Sequence, residues 1–320
     1  MKTFLRVCLL LTICLICSSW GFFGHRKINH LAVFTLPKGM AEFYRANIVH
    51  ITEHSVDPDK RRYVDSLEEP RHFLDADRYG KKQPFANLPP NWYDAVKKYS
   101  ADTLNKYGTV PWVIQYHHYW LVKAFKAHDT TAILKTSANL GHYIADAHVP
   151  LHLISNYDGQ FTGQDGIHSL WETRLPELFS DQYSLYVGKA RYIDNPLTEA
   201  FRICKASYRC VDSVILFEKK LNAKFPPYKK REMTLRGKRK VEDYSVKYAS
   251  AYHQMLNGMV KRRMRSSILA IGSFWYSAWV DAGQPDLNKL IETPLTAEQK
   301  QKLLREETLF KAGKPLTLER

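Results

Sequence analysis

Cysteine is scarce in this 320-residue chain: three of the five, Cys8, Cys14 and Cys17, fall in its first 17 residues, which leaves Cys204 and Cys210. That excludes a structural metal site built on thiolates. It allows one disulfide in the remainder, and only if a helix breaks near Tyr208, because side chains six apart on one helix diverge. Acids are outnumbered, 32 Asp and Glu against 47 Lys and Arg, for a formal charge of +15. Such a balance favours encounter with polyanions or an anionic membrane surface and says nothing about reaction. Part of the excess lies in short runs at residues 229–231 and 236–240, which read equally well as solvated loop charge. Repeats and low-complexity segments are absent. Alternation of period two is scarce, which excludes a large half-buried sheet. Beyond the N-terminus no apolar run is long enough to span a membrane. No Ser–His–Asp arrangement and no glycine-rich phosphate loop stands out.

The one strongly apolar run is at the start. Lys2 and Arg6 precede residues 7–17, and Ser18–Ser19 supply small residues for cleavage. This is the layout of a secretory signal peptide. The expected organisation is a leader over residues 1–19, one domain over 20–290, and a short helix and tail over 291–320. An exported protein, secreted or periplasmic, follows. Helical periodicity dominates the rest. Residues 28–34, 110–125 and 130–147 read as helical, the last closed by Pro150. Residues 197–220 read as one long helix, and 241–279 as another, bent at Gly258 or Gly272. Residues 226–240 read as a basic loop. The fold class is all-α, a single multi-helix domain.

Histidine is plentiful, thirteen in all, and several sit at telling distances from carboxylates. His142 and Asp146 in GHYIADAHVPLH are four apart, so they share one helix face. His152 follows beyond Pro150. His168 and Glu172 in HSLWE repeat the four-residue spacing. Upstream lie Asp57 and Asp59 in VDPDKRR and His72 in PRHFLDAD. One such pair is commonly a solvated pair. Two, with further His and Asp residues around them, point to metal, and imidazole with carboxylate suits zinc in a catalytic site. Either Asp57 or Asp59 could serve. His30, His54, His117, His118 and His148 read as core or surface histidines, and Tyr143 and Trp171 as packing.

In this order, WGFFGH, the Pro-Asp and His-Phe-x-Asp elements, GHYIADAHVPLH and HSLWE resemble the ligand set of the superfamily of zinc-dependent phospholipases C and single-strand-specific zinc nucleases. The resemblance runs from Trp20 to Glu172. It implies three zinc ions in a cleft of an all-α domain. Trp20 would bind through its α-amino nitrogen and carbonyl oxygen, with His25 beside it. Asp59, chosen over Asp57 by the preceding Pro58, would hold the partner ion with His72 and His142, and Asp146 would bridge the two. His152, His168 and Glu172 would hold the third. Asp59 and Asp146 become the catalytic carboxylates, and hydroxide made available by the metals the nucleophile. The α-amine has an ordinary pKa near ~8, so zinc can displace its proton, and cleavage before Trp20 would complete the site. Phe73 and Asp75 would contact substrate. The resemblance implies a phosphodiester hydrolase acting on phospholipid headgroups or on single-stranded nucleic acid and 3′-nucleotides. It implies no obligate protein partner. The spacing of His25 from Trp20 is nearer the nuclease branch; Glu172 and the short His152–His168 interval are nearer the phospholipase branch. The rival from another class is a non-catalytic zinc-binding envelope protein.

Overall fold

A computed structural model describes residues 21–80, 82–236 and 239–318. Trp20 and the leader lie outside the described residues. Among the described residues the fold is all-α apart from one two-stranded hairpin. Four helices build the centre: α1 (Phe22–Val33), α2 (Asp57–Arg61), α3 (Val110–Ala127) and α4 (Thr130–Ala147). Asp129 caps α4 by accepting from the Ala132 N–H at 2.9 Å, which satisfies one of the first-turn donors. His128, in the left-handed region, turns the chain so that α4 packs back along α3.

The expected helix over residues 197–220 is two helices, α5 (Pro196–Tyr208) and α6 (Val211–Asn222), parted at Arg209–Cys210. Even so, the cysteines do not pair. Cys204 is turned into the core, while Cys210, at the break, donates to the Ala206 carbonyl of α5 at 3.5 Å. The segment expected as a loop, and the start of the expected helix over residues 241–279, form the hairpin β1 (Arg231–Arg236) and β2 (Arg239–Tyr244), with Arg231 opposite Tyr244. Two residues of sequence, Gly237 and Lys238, separate the strands, the length that suits a tight hairpin. The remainder is α7 (Val246–Met255) and α8 (Met259–Asp281). The bend falls at Asn257–Gly258, both at positive φ.

Gly272 stays helical for another reason. A side chain there would strike Thr35, so glycine lets α8 lie close to the end of α1. Gly141 in α4 does the same against Asn29 of α1, whose side-chain amide donates to the His25 carbonyl at 2.9 Å. Burial of Phe43, Tyr44, Phe125, Tyr143, Phe274 and Trp275 around these crossings makes the core. The C-terminal helix, α9 (Ala297–Lys311), opens with a Thr296–Gln299 capping box and docks through Leu303 and Phe310. Its Glu306 meets His30 at 2.8 Å, and Glu307 meets Arg45 at 2.7 Å. Among the described residues no helix is long and apolar enough to cross a membrane.

Candidate metal centre

The Gly141–Asn29 approach brings α1 onto α4 so that the rings of His25 and His142 stack, centroids 4.1 Å apart. One turn along α4, Asp146 faces the same side. Its Oδ2 lies 3.2 Å from His142 Nε2 and 2.9 Å from His72 Nδ1, and its Oδ1 lies 3.3 Å from His25 Nε2. Asp59, on α2, places Oδ1 3.7 Å from both His72 Nδ1 and His142 Nε2. Asp57 points away, held by His54 at 2.5 Å and Lys60 at 2.8 Å.

Beyond α4 the chain turns at Pro150 and presents His152 from a short helical turn, Pro150–Leu153. His152 Nε2 is 3.1 Å from His168 Nε2 and 3.4 Å from Glu172 Oε2, while His168 Nε2 to Glu172 Oε2 is 2.6 Å. His168 and Glu172 span the passage from an α-helical turn into the π-helical segment Leu170–Arg174, a widening that is frequent at functional sites. Glu172 Oε1 also approaches His25 Nε2, at 3.5 Å, so this carboxylate joins the two halves of the cluster. A methyl group on Gly21 would sit 3.4 Å from Glu172 Oε1; the chain immediately after Trp20 therefore runs against the cluster.

The hydrogen bonds at the back of the rings decide what the front can do. His142 Nδ1 lies 2.8 Å from the Ser55 carbonyl, and His152 Nδ1 lies 2.7 Å from the His72 carbonyl. A carbonyl only accepts, so each Nδ1 carries the proton, and in the neutral ring each Nε2 is a bare lone pair. Those lone pairs face other acceptors: Asp146 and His72 Nδ1 in one place (the latter at 3.0 Å), and Glu172 and His168 in the other. Acceptors that converge without donors fit a cation between them. The described residues contain four overlapping groups able to hold one: His25–Asp59–His142, His72–His142–Asp146, His25–Asp146–Glu172 and His152–His168–Glu172.

The electrostatics agree. Burial alone would raise the Asp146 and Glu172 carboxyls; His142 and His152 hold Asp146 well below the usual range, and His152, His168 and His25 do so for Glu172. Burial opposes charge on the imidazoles too. Asp146 and Glu172 overcome it at His25, raised well above its ordinary value, and at His152, pushed up to about 9. Burial wins at His142, which is lowered and therefore stays neutral, as a ligand must be. High proton affinity at buried imidazoles expresses the same negative potential that would attract a metal.

Glu68 was not apparent from the sequence. It is fully buried and four residues before His72, whose Nε2 approaches its Oε1 at 3.5 Å, a long charged approach rather than a formed hydrogen bond. Arg71 holds Glu68 at 2.8 Å, Arg61 does so at 3.3 Å, and the Tyr143 hydroxyl donates to it. Burial would raise this carboxyl; His72, Tyr143 and Arg61 instead keep it below the usual range. A carboxylate behind a ligating histidine fixes its tautomer and orientation. Tyr143, read from sequence as packing, thus also has a polar task. The Glu68–His72 spacing of four was the available signal.

A cleft of about 440 Å³ opens over Asp59, His152, His168 and Glu172. Arg62 and Tyr63 line it from beyond α2, Tyr157 and Asp158 from the loop before His168, and Arg231 and Tyr244 from the hairpin. The Arg231 guanidinium lies over the Tyr244 ring, 4.5 Å from its centroid, and makes no ion pair with a described carboxylate. The basic segment expected to be a loop is therefore a wall of the cleft. Phe73 and Asp75 are not among its lining residues. Phe73 packs on Gly108, and burial, with help from Asp77, pushes the Asp75 carboxyl up to about 7. Neither the known family models nor the curated proteins match this chain.

Proposed function

We propose that this chain is an exported, zinc-dependent phosphodiester hydrolase with a trinuclear centre in the cleft, of the phospholipase C and zinc nuclease type. The observation that carries the reading is the pair of places where imidazole lone pairs face other acceptors around Asp146 and Glu172. Imidazole and carboxylate ligands without thiolate suit zinc at a catalytic site. Bound there, zinc lowers the pKa of water and neutralises charge on phosphoryl oxygens.

The chain's own residues complete the chemistry. Asp146, with one oxygen toward His25 and the other toward His72 and His142, would hold both ions of a close pair. His152, His168 and Glu172 hold the third position. Asp59, more exposed than Asp146, orients the attacking water through Oδ1. His25 and the α-amine of a mature Trp20 close the first position. Arg231 takes an anionic oxygen of the substrate. Tyr63 and Tyr157, both more than half exposed on the cleft, offer faces on which a base can stack. A guanidinium beside these faces favours single-stranded nucleic acid, and the acids Asp158, Glu242 and Asp243 on the same cleft limit that preference. The phospholipid reading has one observation of its own. Val64 and Leu67 stand exposed just beyond Tyr63, where they would enter a lipid surface.

The test is zinc content of the mature protein beginning at Trp20, followed by assays on single-stranded DNA and phosphatidylcholine with and without chelator. Chelator-sensitive cleavage of DNA with three zinc ions per chain is the expected result. Cleavage of lipid alone would select the second reading. Zinc without turnover on either would select a non-catalytic zinc-binding protein of the envelope.

A further inference from the structure

A second hollow, of about 550 Å³, shares none of the residues that line the metal cleft. Three arginines from three parts of the chain line it: Arg191 from the segment before α5, Arg202 from α5 and Arg263 from α8. Two carboxylates line it as well. Glu199 is engaged by Arg202 in a two-pronged bridge, 2.6 Å to Nε and 2.5 Å to Nη2. Asp194 is exposed and pairs with neither remaining arginine.

Arg263 has no carboxylate partner. Its Nε donates to the His148 carbonyl at 3.0 Å and its Nη2 to Ser207 Oγ at 2.5 Å. Burial disfavours its charge, and the nearby Arg202 disfavours it further. A guanidinium cannot shed its proton in a protein, so the charge remains. Leaving a part-buried charge uncompensated is costly, and the described chain supplies no counter-ion. Arg191 also makes no ion pair, and the segment that carries it is anchored: its backbone N–H donates to Ser273 Oγ at 3.0 Å, and that of Ile193 donates to Ser277 Oγ at 2.8 Å. Two guanidinium groups on a fixed frame therefore await an anion, one part-buried and one at the surface.

We propose that this hollow is a second anion-binding site that takes a phosphomonoester, held by Arg263 at its inner end and Arg191 at its mouth. A phosphomonoester is close to a dianion at neutral pH and offers three strong acceptor oxygens, which suits two unneutralised forks of donors. The hollow is larger than a bare phosphate requires, so it leaves room for the organic part. Ser266 and Thr198, on the same walls, can donate to it. This site stands independently of the reading of the metal cleft.

The test is titration calorimetry with inorganic phosphate on the full mature chain, because phosphate could also enter the metal cleft. Asp146→Asn, which disables that cleft, should leave phosphate binding at the hollow intact. Arg263→Gln and Arg191→Gln should each weaken it about tenfold, the scale of one lost charge-assisted hydrogen bond. Arg191 is exposed, so its variant keeps the test clear should Arg263→Gln fold poorly. Binding insensitive to both arginine variants, binding lost only in Asp146→Asn, or no binding at all would overturn the proposal. The same titrations with a nucleoside monophosphate and with glycerol phosphate identify the source of the group. Dependence on Arg191 with either supports the site, and failure of both overturns the phosphomonoester assignment.

Discussion

The metal cluster and the arginine hollow flank the same helix end with opposite demands. His142 and Asp146 of α4 belong to a buried cluster whose acceptors converge and call for cations. Just past the end of α4, the His148 carbonyl receives Arg263, in a hollow whose donors converge and call for an anion. Each site leaves charge that the chain itself does not neutralise, and each is costly to fold around until its ligand arrives. They differ in how the chain builds them. The cluster takes ligand pairs from single helical segments and locks them from behind with carbonyls and Glu68. The hollow takes one arginine from each of three segments, with Arg263 held by the His148 carbonyl and Ser207, and the Arg191 segment by Ser273 and Ser277.

The sharpest way to break the comparison is Asp146→Asn. Expected losses are turnover by more than about 10³-fold, the scale of removing a principal stabiliser of developing charge, and metal at two positions together. Retained activity, or metal loss at a single position by elemental analysis, would remove Asp146 from its bridging place. Glu172→Gln should weaken the His152–His168 position most and the His25 position less, because one of its oxygens faces each, and equal loss everywhere would contradict that.

Next in size is the support itself. Glu68→Gln should lower metal affinity by about 10- to 100-fold, as outer-shell changes do, with the fold intact by circular dichroism. Unchanged affinity in a metal-buffer titration would mean that His72 is oriented without Glu68.

Arg231→Gln probes the cleft wall. A diester carrying a second phosphate should show KM raised about tenfold, the scale of one charge-assisted hydrogen bond, with kcat little changed. A diester with a single charge should show no effect. Equal effects on both substrates would place Arg231 at the scissile group instead.

The smallest effect is in the pH dependence of stability. In metal-free protein, imidazoles with raised affinity stabilise the fold fully below their ordinary value near ~6.5, and His152 loses its contribution as pH rises through about 9. Metal binding strengthens over the same range as protons leave the ligands. The difference in melting temperature between metal-loaded and chelated protein should therefore widen from pH 6 to 9. A constant or shrinking difference by calorimetry would contradict the cluster as a metal site.

Much of this architecture was legible in residue spacing. The i, i+4 pairs His142–Asp146 and His168–Glu172 mark the cluster because a helix forces such residues onto one face, and Pro150 marks where α4 must end. The hairpin was not legible, because its basic composition resembles a solvated loop. The break after Tyr208 was considered only as a condition for a disulfide, and the structure has the break without the bond. Glu68 and Arg263 escaped notice because their roles depend on burial, which tertiary packing decides.

Gly141 carries a consequence for how the centre could be altered. Nothing about this residue is chemical, yet the empty space where its side chain would be sets the separation of two ligand-bearing helices. It works like a machinist's shim of zero thickness. Adding even one carbon would strike the Asn29 side-chain oxygen and disturb the amide that donates to the His25 carbonyl. A series of small substitutions at this single position thus reads how firmly Asn29 holds His25 in place, without touching any of the candidate ligands.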